Sequence, residues 1–344
     1  MIRFSLLQFR AQAIAAAAGL VIAAIVLAVT GLHLAHLYDS SAFATCLGTA
    51  CTKSAASFLN KAASYASLGR FLGFVVLGVP AVIGLFWGAP LVAREIETHT
   101  DRLAWTQGVT RSRWIAVKLA VVGVASMAVT GLLSLMVTWW ASPIDKASMY
   151  RWSAFDQRGI VPVAYAAFAF TLGVAAGALI RRTLPAMAVA LVVFIAAQLL
   201  ITVARPHYIA PLRATPAISL ASLQGTGVTG NGRLFIQPAQ LEIAGAWILS
   251  PSLRCAGTAQ CDVITSNGGS AANLPATQAC HTSAPLSGPR SCDAYLATLH
   301  LRQLVTYQPA SRFWVFQWIE TAIYAALAIV LAFVSFFQVR RRIT

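Results

Sequence analysis

Six apolar blocks, each about 20 residues or longer, constrain what this chain can fold into more than any other feature. They lie at roughly 11–37, 71–92, 114–140, 160–180, 184–204 and 313–339. A helix of about 20 apolar residues spans the hydrocarbon core of a bilayer. Within that core only helices and closed barrels satisfy their own backbone polar groups. The blocks are apolar throughout rather than striped, so they read as transmembrane helices and not as amphipathic surface helices. Of the 344 residues, 58% are hydrophobic and 10% charged, whereas a soluble domain carries roughly a quarter charged residues. A soluble enzyme, a disordered tail and a fibrous repeat are excluded. The sequence predicts an all-α polytopic membrane protein with six transmembrane helices.

Charge orients the blocks. The formal net charge is +15, from 25 Lys and Arg against 10 Asp and Glu. In a soluble protein this would suggest nucleic acid, but no stretch outside the blocks interleaves basic and aromatic residues, so no nucleic-acid partner is expected. One set of short segments holds Arg3 and Arg10, then Arg94, Arg102, Arg111, Arg113 and Lys118, then Arg181 and Arg182, then Arg340, Arg341 and Arg342. The alternate loops hold Lys53, Lys61, Arg70, Lys146, Arg151 and Arg158 over more residues. The positive-inside rule therefore puts both termini in the cytoplasm. The expected location is the plasma membrane of a bacterium. The first block is too long for a signal-peptide core and reads as an anchor that stays in the protein.

All six cysteines (Cys46, Cys51, Cys255, Cys261, Cys280 and Cys292) fall in loops that this topology places outside. An even number confined to the oxidising side reads as disulfides, and short separations favour 46 with 51, 255 with 261 and 280 with 292. Three domains follow: residues 1–204 with the first five spans, an extracytoplasmic domain at 205–312, and 313–344 with the last span and a cytoplasmic tail. The exterior segment is rich in Gly, Ser, Thr, Pro and Asn and is long enough for a small disulfide-stapled domain. Residues 291–305 read as helical. Gly225, Gly227 and Gly230 match a dinucleotide-loop spacing, but no strand and helix frame them, so the segment reads as a flexible loop. No phosphate-binding GxxxxGK[ST] loop occurs, so ATP hydrolysis of that type is not expected from this chain.

The loop after the second block carries the most information. Thr98 and Asp101 form a helix-start signature and Gly108 a stop, which predicts a short helix presenting Leu103, Trp105 and Gln107. Three acids, Glu95, Glu97 and Asp101, sit beside a membrane boundary that ordinarily favours cations. A mixed-charge interfacial helix of this kind reads as a docking surface.

This loop resembles the signature of ABC-2 type permeases, the membrane subunits of ATP-driven exporters, in Gly88, Arg94, Glu95, Glu97, Thr100, Leu103, Thr106, Arg111, Arg113 and Lys118. The amphipathic start at 2–10 resembles the elbow helix of the same family, and six spans with both ends inside match it. The resemblance implies a coupling helix at about 95–110 that docks on a separate ATPase through Arg94, Glu95, Glu97, Thr98, Thr100, Asp101, Arg102, Leu103, Trp105, Gln107, Arg111 and Arg113. It implies two ATPase copies, a second permease copy, most simply a homodimer, and a substrate path between the permeases. ATP and Mg would be bound on the ATPase, with no cofactor or metal on this chain and no catalysis by it. The long exterior segment departs from the short hairpin common in such exporters.

Polar residues inside the blocks are candidates for that path: Ser126, Thr130, Ser134, Gln198, Thr202, Gln317 and Glu320. Their ordinary role is hydrogen bonding between helices, worth about 0.6 kcal/mol each. An intramembrane carboxylate is a functional hypothesis by default, and Glu320 either serves transport or pairs with Arg205 or Arg312. Gly173 and Gly177 permit a close helix contact, Pro80 predicts a kink in the second span, and Trp114, Trp139, Trp140, Trp314 and Trp318 read as interfacial belts. Two other function classes remain open on sequence alone. One is a proton-coupled secondary transporter using Glu320. The other is a membrane-anchored sensor or mechanotransmitter whose exterior domain binds a ligand.

Overall fold

The computed structural model of the chain describes residues 2–43, 51–98, 111–148, 152–215, 223–228, 234–238, 245–255, 262–266, 269–274 and 301–342. Two compact units form, one of Met1–Arg205 with Trp314–Thr344 and one of Pro206–Phe313. Six helices are long and apolar enough to cross a membrane: Phe9–Asp39, Ser54–Glu97, Arg113–Ala147, Val161–Ile180, Thr183–His207 and Ala310–Arg340. The protein is a multi-pass membrane protein.

The helices are α1 (Ile2–Asp39), α2 (Cys51–Ala62), α3 (Ala66–Ile83), α4 (Ala89–Glu97), α5 (Arg111–Ser148), α6 (Val161–Ile180), α7 (Thr183–Ala204) and α8 (Phe313–Arg342). The separate elbow helix expected at 2–10 is not formed, because α1 runs unbroken from Ile2 to Asp39. Its first glycine is Gly19, it has no proline, and residues 11–18 are mostly alanine, the strongest helix former. Nothing in the sequence ends the helix at Arg10.

The second span is the irregular one. Pro80 lies inside α3, and one turn later Gly84–Gly88 forms a π-helical turn that leads into α4. Proline removes a backbone donor and crowds the preceding turn, and π turns of this kind often mark functional positions in helices. This turn packs on α6, the central helix, which is buried along nearly its whole length. A Cβ at Gly173 would lie 2.1 Å from the Gly84 carbonyl oxygen, and one at Gly177 would lie 2.5 Å from that of Ala89. The two glycines thus let the backbones of the second and fourth spans touch.

Two apolar clusters hold the bundle. At the end carrying the N-terminus, Phe9, Trp87, Trp114, Ile115, Phe170 and Val339 are buried together, with Phe9 edge-on to Trp87 at 4.7 Å. At the opposite end, Leu27, Leu34, Phe58, Leu133, Val137 and Trp140 do the same, and Trp140 Nε1 donates to Thr30 Oγ1 at 2.9 Å. Trp114 and Trp140 are therefore core residues rather than belt residues, both 2% exposed. Trp139, Trp314 and Trp318 are exposed. So are Ile22, Leu32, Leu184, Leu199 and Val203, as surfaces that meet lipid must be.

The unit Pro206–Phe313, whose turn-rich composition leaves its internal fold unreadable from sequence, is built of strands. β1 (Leu212–Ala214), β7 (Leu301–Gln308) and β4 (Trp247–Cys255) form one antiparallel sheet in the order β1-β7-β4. β2 (Leu223–Val228), β3 (Leu234–Pro238), β6 (Gly269–Leu274) and β5 (Asp262–Ser266) form a second, in the order β2-β3-β6-β5. Residues 301–305, read as helix from sequence, are strand: Val305, Thr306 and Tyr307 suit a pleated surface, and Leu253 pairs with Gln303 across β4. Gly225 and Gly227 lie in β2, not in a loop; Gly230 is outside the described residues. Cys51 opens α2 and is disulfide-bonded. Cys255 ends β4, while Cys46, Cys261, Cys280 and Cys292 lie outside the described residues.

Candidate functional site

The last turn of α4 carries two carboxylates, Glu95 and Glu97. Residues two apart on a helix project from different faces, and these two reach different neighbours. Glu95 forms a salt bridge with Lys118 on α5, whose side chain is 3% exposed. The same ammonium lies 4.5 Å from the Trp114 ring centroid, an arrangement that adds cation–π attraction. Glu97 accepts the backbone N–H of Thr183 at 3.0 Å and also its hydroxyl. Thr183 is the first residue of α7. Its N–H is one of the donors a helix start leaves open, and a carboxylate there is favoured by the helix dipole.

Thr98 closes α4. Its N–H and its hydroxyl both donate to the Arg94 carbonyl, at 3.0 and 2.8 Å. The chain therefore leaves the second span from a point braced against the third span through Glu95 and the fifth through Glu97. Thr100, Asp101, Arg102, Leu103, Trp105 and Gln107 lie outside the described residues. The chain resumes at Arg111, the first residue of α5, and Arg113 is exposed.

At the other end of the bundle a charged network sits among apolar helices. Arg205 follows α7, Glu320 lies on α8, Tyr165 on α6, and Asp156 in the 3-10 turn Trp152–Gln157. Arg205 Nε donates to Glu320 Oε2 at 2.8 Å and Nη2 to Oε1 at 2.9 Å. Its Nη1 donates to Asp156 Oδ2 at 3.1 Å, and Nη2 pairs with Oδ1. The guanidinium carbon lies 4.4 Å from the Phe155 ring centroid. Tyr165 OH is within hydrogen-bonding reach of both Asp156 and Glu320. One arginine thus answers two carboxylates, with Glu320 and Tyr165 fully buried. Two-pronged pairing of this kind is what a buried carboxylate needs.

Most of the other polar candidates in the spans have hydrogen-bond partners. Ser126 Oγ donates to the Val122 carbonyl at 2.7 Å and Thr130 Oγ1 to that of Ser126 at 3.1 Å, both within their own helix. Ser134 Oγ donates to the Gly159 carbonyl at 3.0 Å. Gln317 organises the start of α6: its Oε1 accepts from Ile160 N and Val161 N, both at 3.2 Å, and its Nε2 donates to the Phe155 carbonyl at 2.9 Å. Gln198 Oε1 accepts from Tyr324 OH at 2.6 Å. Thr202 is exposed. Glu320 comes together with Asp156 and Tyr165, Gln317 holds the backbone beside them, and Gln198 bonds Tyr324, whose ring meets that of Tyr165 at 4.7 Å, whereas Ser126 and Thr130 stand apart.

Asp156 and Tyr165 were not legible as site residues. The only sequence signal was an unpaired Glu320 in an apolar block with Arg205 at the edge of another. Arg312, the other partner considered, instead donates to the carbonyl of Ala210 and to Gln308, each at 2.8 Å.

A family model described as ABC-2 membrane transporter related matches residues 17–205. The match takes in five of the six spans and the loop after α4, and it ends at Arg205. No curated protein and no solved structure matches the chain.

Proposed function

Because the chain belongs to the ABC-2 membrane transporter related family, we propose that it is the permease subunit of an ATP-driven exporter. Two copies assemble with two copies of a separately encoded ATPase, and the substrate moves between the permeases. ATP and Mg bind on the ATPase; this chain supplies the path and the motion. Its termini face the cytoplasm, the strand unit faces outward, and the membrane is a bacterial plasma membrane. The outward face also suits disulfides among the cysteines.

The observation that carries the reading is the bracing of α4. A segment at 99–110 docked on an ATPase pulls on a helix end that Glu95 ties to the third span and Glu97 to the fifth. Movement of the ATPase then reaches three spans at once, and the π-helical turn above α4 gives the second span a place to adjust. Switching of helix bundles between two arrangements is an established form of coupling. The pairing of Glu320 with Arg205 gives that carboxylate a structural reason to be buried, which favours this reading over proton coupling.

The test is affinity purification of the tagged chain from its native membrane in mild detergent, with mass spectrometry of what accompanies it. A stoichiometric ATPase, lost when Glu97 and Asp101 are both changed to Lys, is the expected result. A chain that purifies alone, where control ABC complexes survive the same detergent, overturns the reading.

A further inference from the structure

A cavity of about 410 Å³ opens where α1, the π-helical turn, α4 and α5 meet, a size typical of small-ligand sites. One part of its wall is apolar: Phe9, Trp87, Leu91 and Val122. The other part is polar: Gln12, Arg94, Glu95 and Lys118. Among the described residues, Lys118 is neutralised by Glu95, while the exposed Arg94 side chain has no hydrogen bond or ion pair. The wall therefore carries one uncompensated cation. Gln12 Nε2 is already committed to the Phe86 carbonyl at 2.9 Å, so it fixes one side of the cavity to the π-helical turn.

Position narrows the ligand. Phe9 begins one candidate span and Glu97 ends the next, so the cavity lies at the level of lipid headgroups, whichever side that end faces. A pocket with a cation at its mouth and aromatic and aliphatic walls behind suits an anionic group joined to an apolar body. Basic pockets between spans at this depth take acidic lipid headgroups as a general matter. The cavity is too small for acyl chains, and these have an exit along the exposed face of α1, where Ile14 is 61% exposed.

We propose that this cavity holds the phosphodiester headgroup of an anionic phospholipid, with Arg94 pairing its phosphate and the acyl chains lying against α1. Such a lipid touches α4 one turn before Thr98, so its occupancy bears on the root of the segment at 99–110. The binding itself does not depend on the proposed exporter function.

The experiment is native mass spectrometry of the full chain in detergent, with phosphatidylglycerol and phosphatidylcholine added in parallel. The expected result is retention of phosphatidylglycerol over phosphatidylcholine. Arg94→Gln should weaken that retention about tenfold, the effect of losing one charge-assisted hydrogen bond. Leu91→Trp, which fills the cavity, should abolish it. Arg94 is exposed, so the first variant leaves the fold intact if the second does not. Equal retention of the two lipids, or retention of phosphatidylglycerol that neither variant changes, overturns the proposal. Displacement of the lipid by millimolar inorganic phosphate alone also overturns it, since the site then recognises the free ion.

Discussion

The Glu97 carboxylate accepts both the backbone N–H and the hydroxyl of Thr183, 86 positions further along the chain. One acidic side chain thereby fastens the end of the second span to the start of the fifth. With Glu95 on Lys118, three spans converge where the chain leaves for the segment at 99–110.

If this fastening transmits the motion proposed above, Thr183→Val separates docking from transport. It removes the hydroxyl and keeps the backbone N–H. The expected outcome is normal membrane insertion and normal ATPase co-purification with a clear fall in export by reconstituted vesicles. Unchanged export would show that α7 takes no drive from Glu97.

The pair of Lys118 and Glu95 is largely buried, so removing the ammonium takes away the cation that Glu95 pairs with across the bundle. Lys118→Met alone should cost about 3–5 kcal/mol and show as a marked drop in melting temperature in detergent. The double variant with Glu95→Leu should recover most of that loss, since both charges of the pair are then gone. A double variant as unstable as the single one would mean that Lys118 matters for its packing on Trp114 rather than for its charge.

Arg205 and Glu320 are not equivalent in their network. Arg205→Met leaves Asp156 and Glu320 facing each other without a cation and should sharply lower the yield of folded protein. Glu320→Gln leaves Arg205 paired with Asp156 and should fold with a modest loss. Under the exporter reading Glu320→Gln still exports, measured with a reconstituted ATPase. Complete loss of transport in a well-folded Glu320→Gln protein would return weight to proton coupling.

Glycine positions differ sharply in what they tolerate. Gly173→Ala places a methyl group 2.1 Å from a backbone oxygen, where no side chain can swing aside. The expected cost is at least about 1–3 kcal/mol, read as lost thermal stability in detergent. Gly78→Ala meets nothing within 4 Å and should be neutral. A stable Gly173→Ala protein would mean that α6 and the π-helical turn can part without penalty.

The spans were legible because hydropathy over about 20 residues is a local property, and so was the tight turn at Arg181 and Arg182. The glycine pair in α6 could be read as a contact surface, but not what it contacts. Asp156 and Tyr165 carry no sequence signal because the charged groups they meet, Arg205 just past α7 and Glu320 on α8, lie far along the chain, and no spacing rule links them. The elbow was misread because an amphipathic start and a membrane span join without a helix breaker. Trp114 and Trp140 were misread because an aromatic residue at a span end suits a core as well as an interface. In the strand unit, turn-rich composition concealed short strands whose identity depends on partners such as β4 for β7.

Translation gives the Arg205 network an order in time. Asp156 and Arg205 leave the ribosome before Glu320, which follows Arg205 by 115 positions. The strand unit is made within that interval, so the second carboxylate becomes available to the arginine only when α8 has been made. A nascent chain halted before α8 holds its charged cluster open, and only a finished one closes it. The same side chains that close the mature bundle therefore form an incomplete set in any chain that lacks α8.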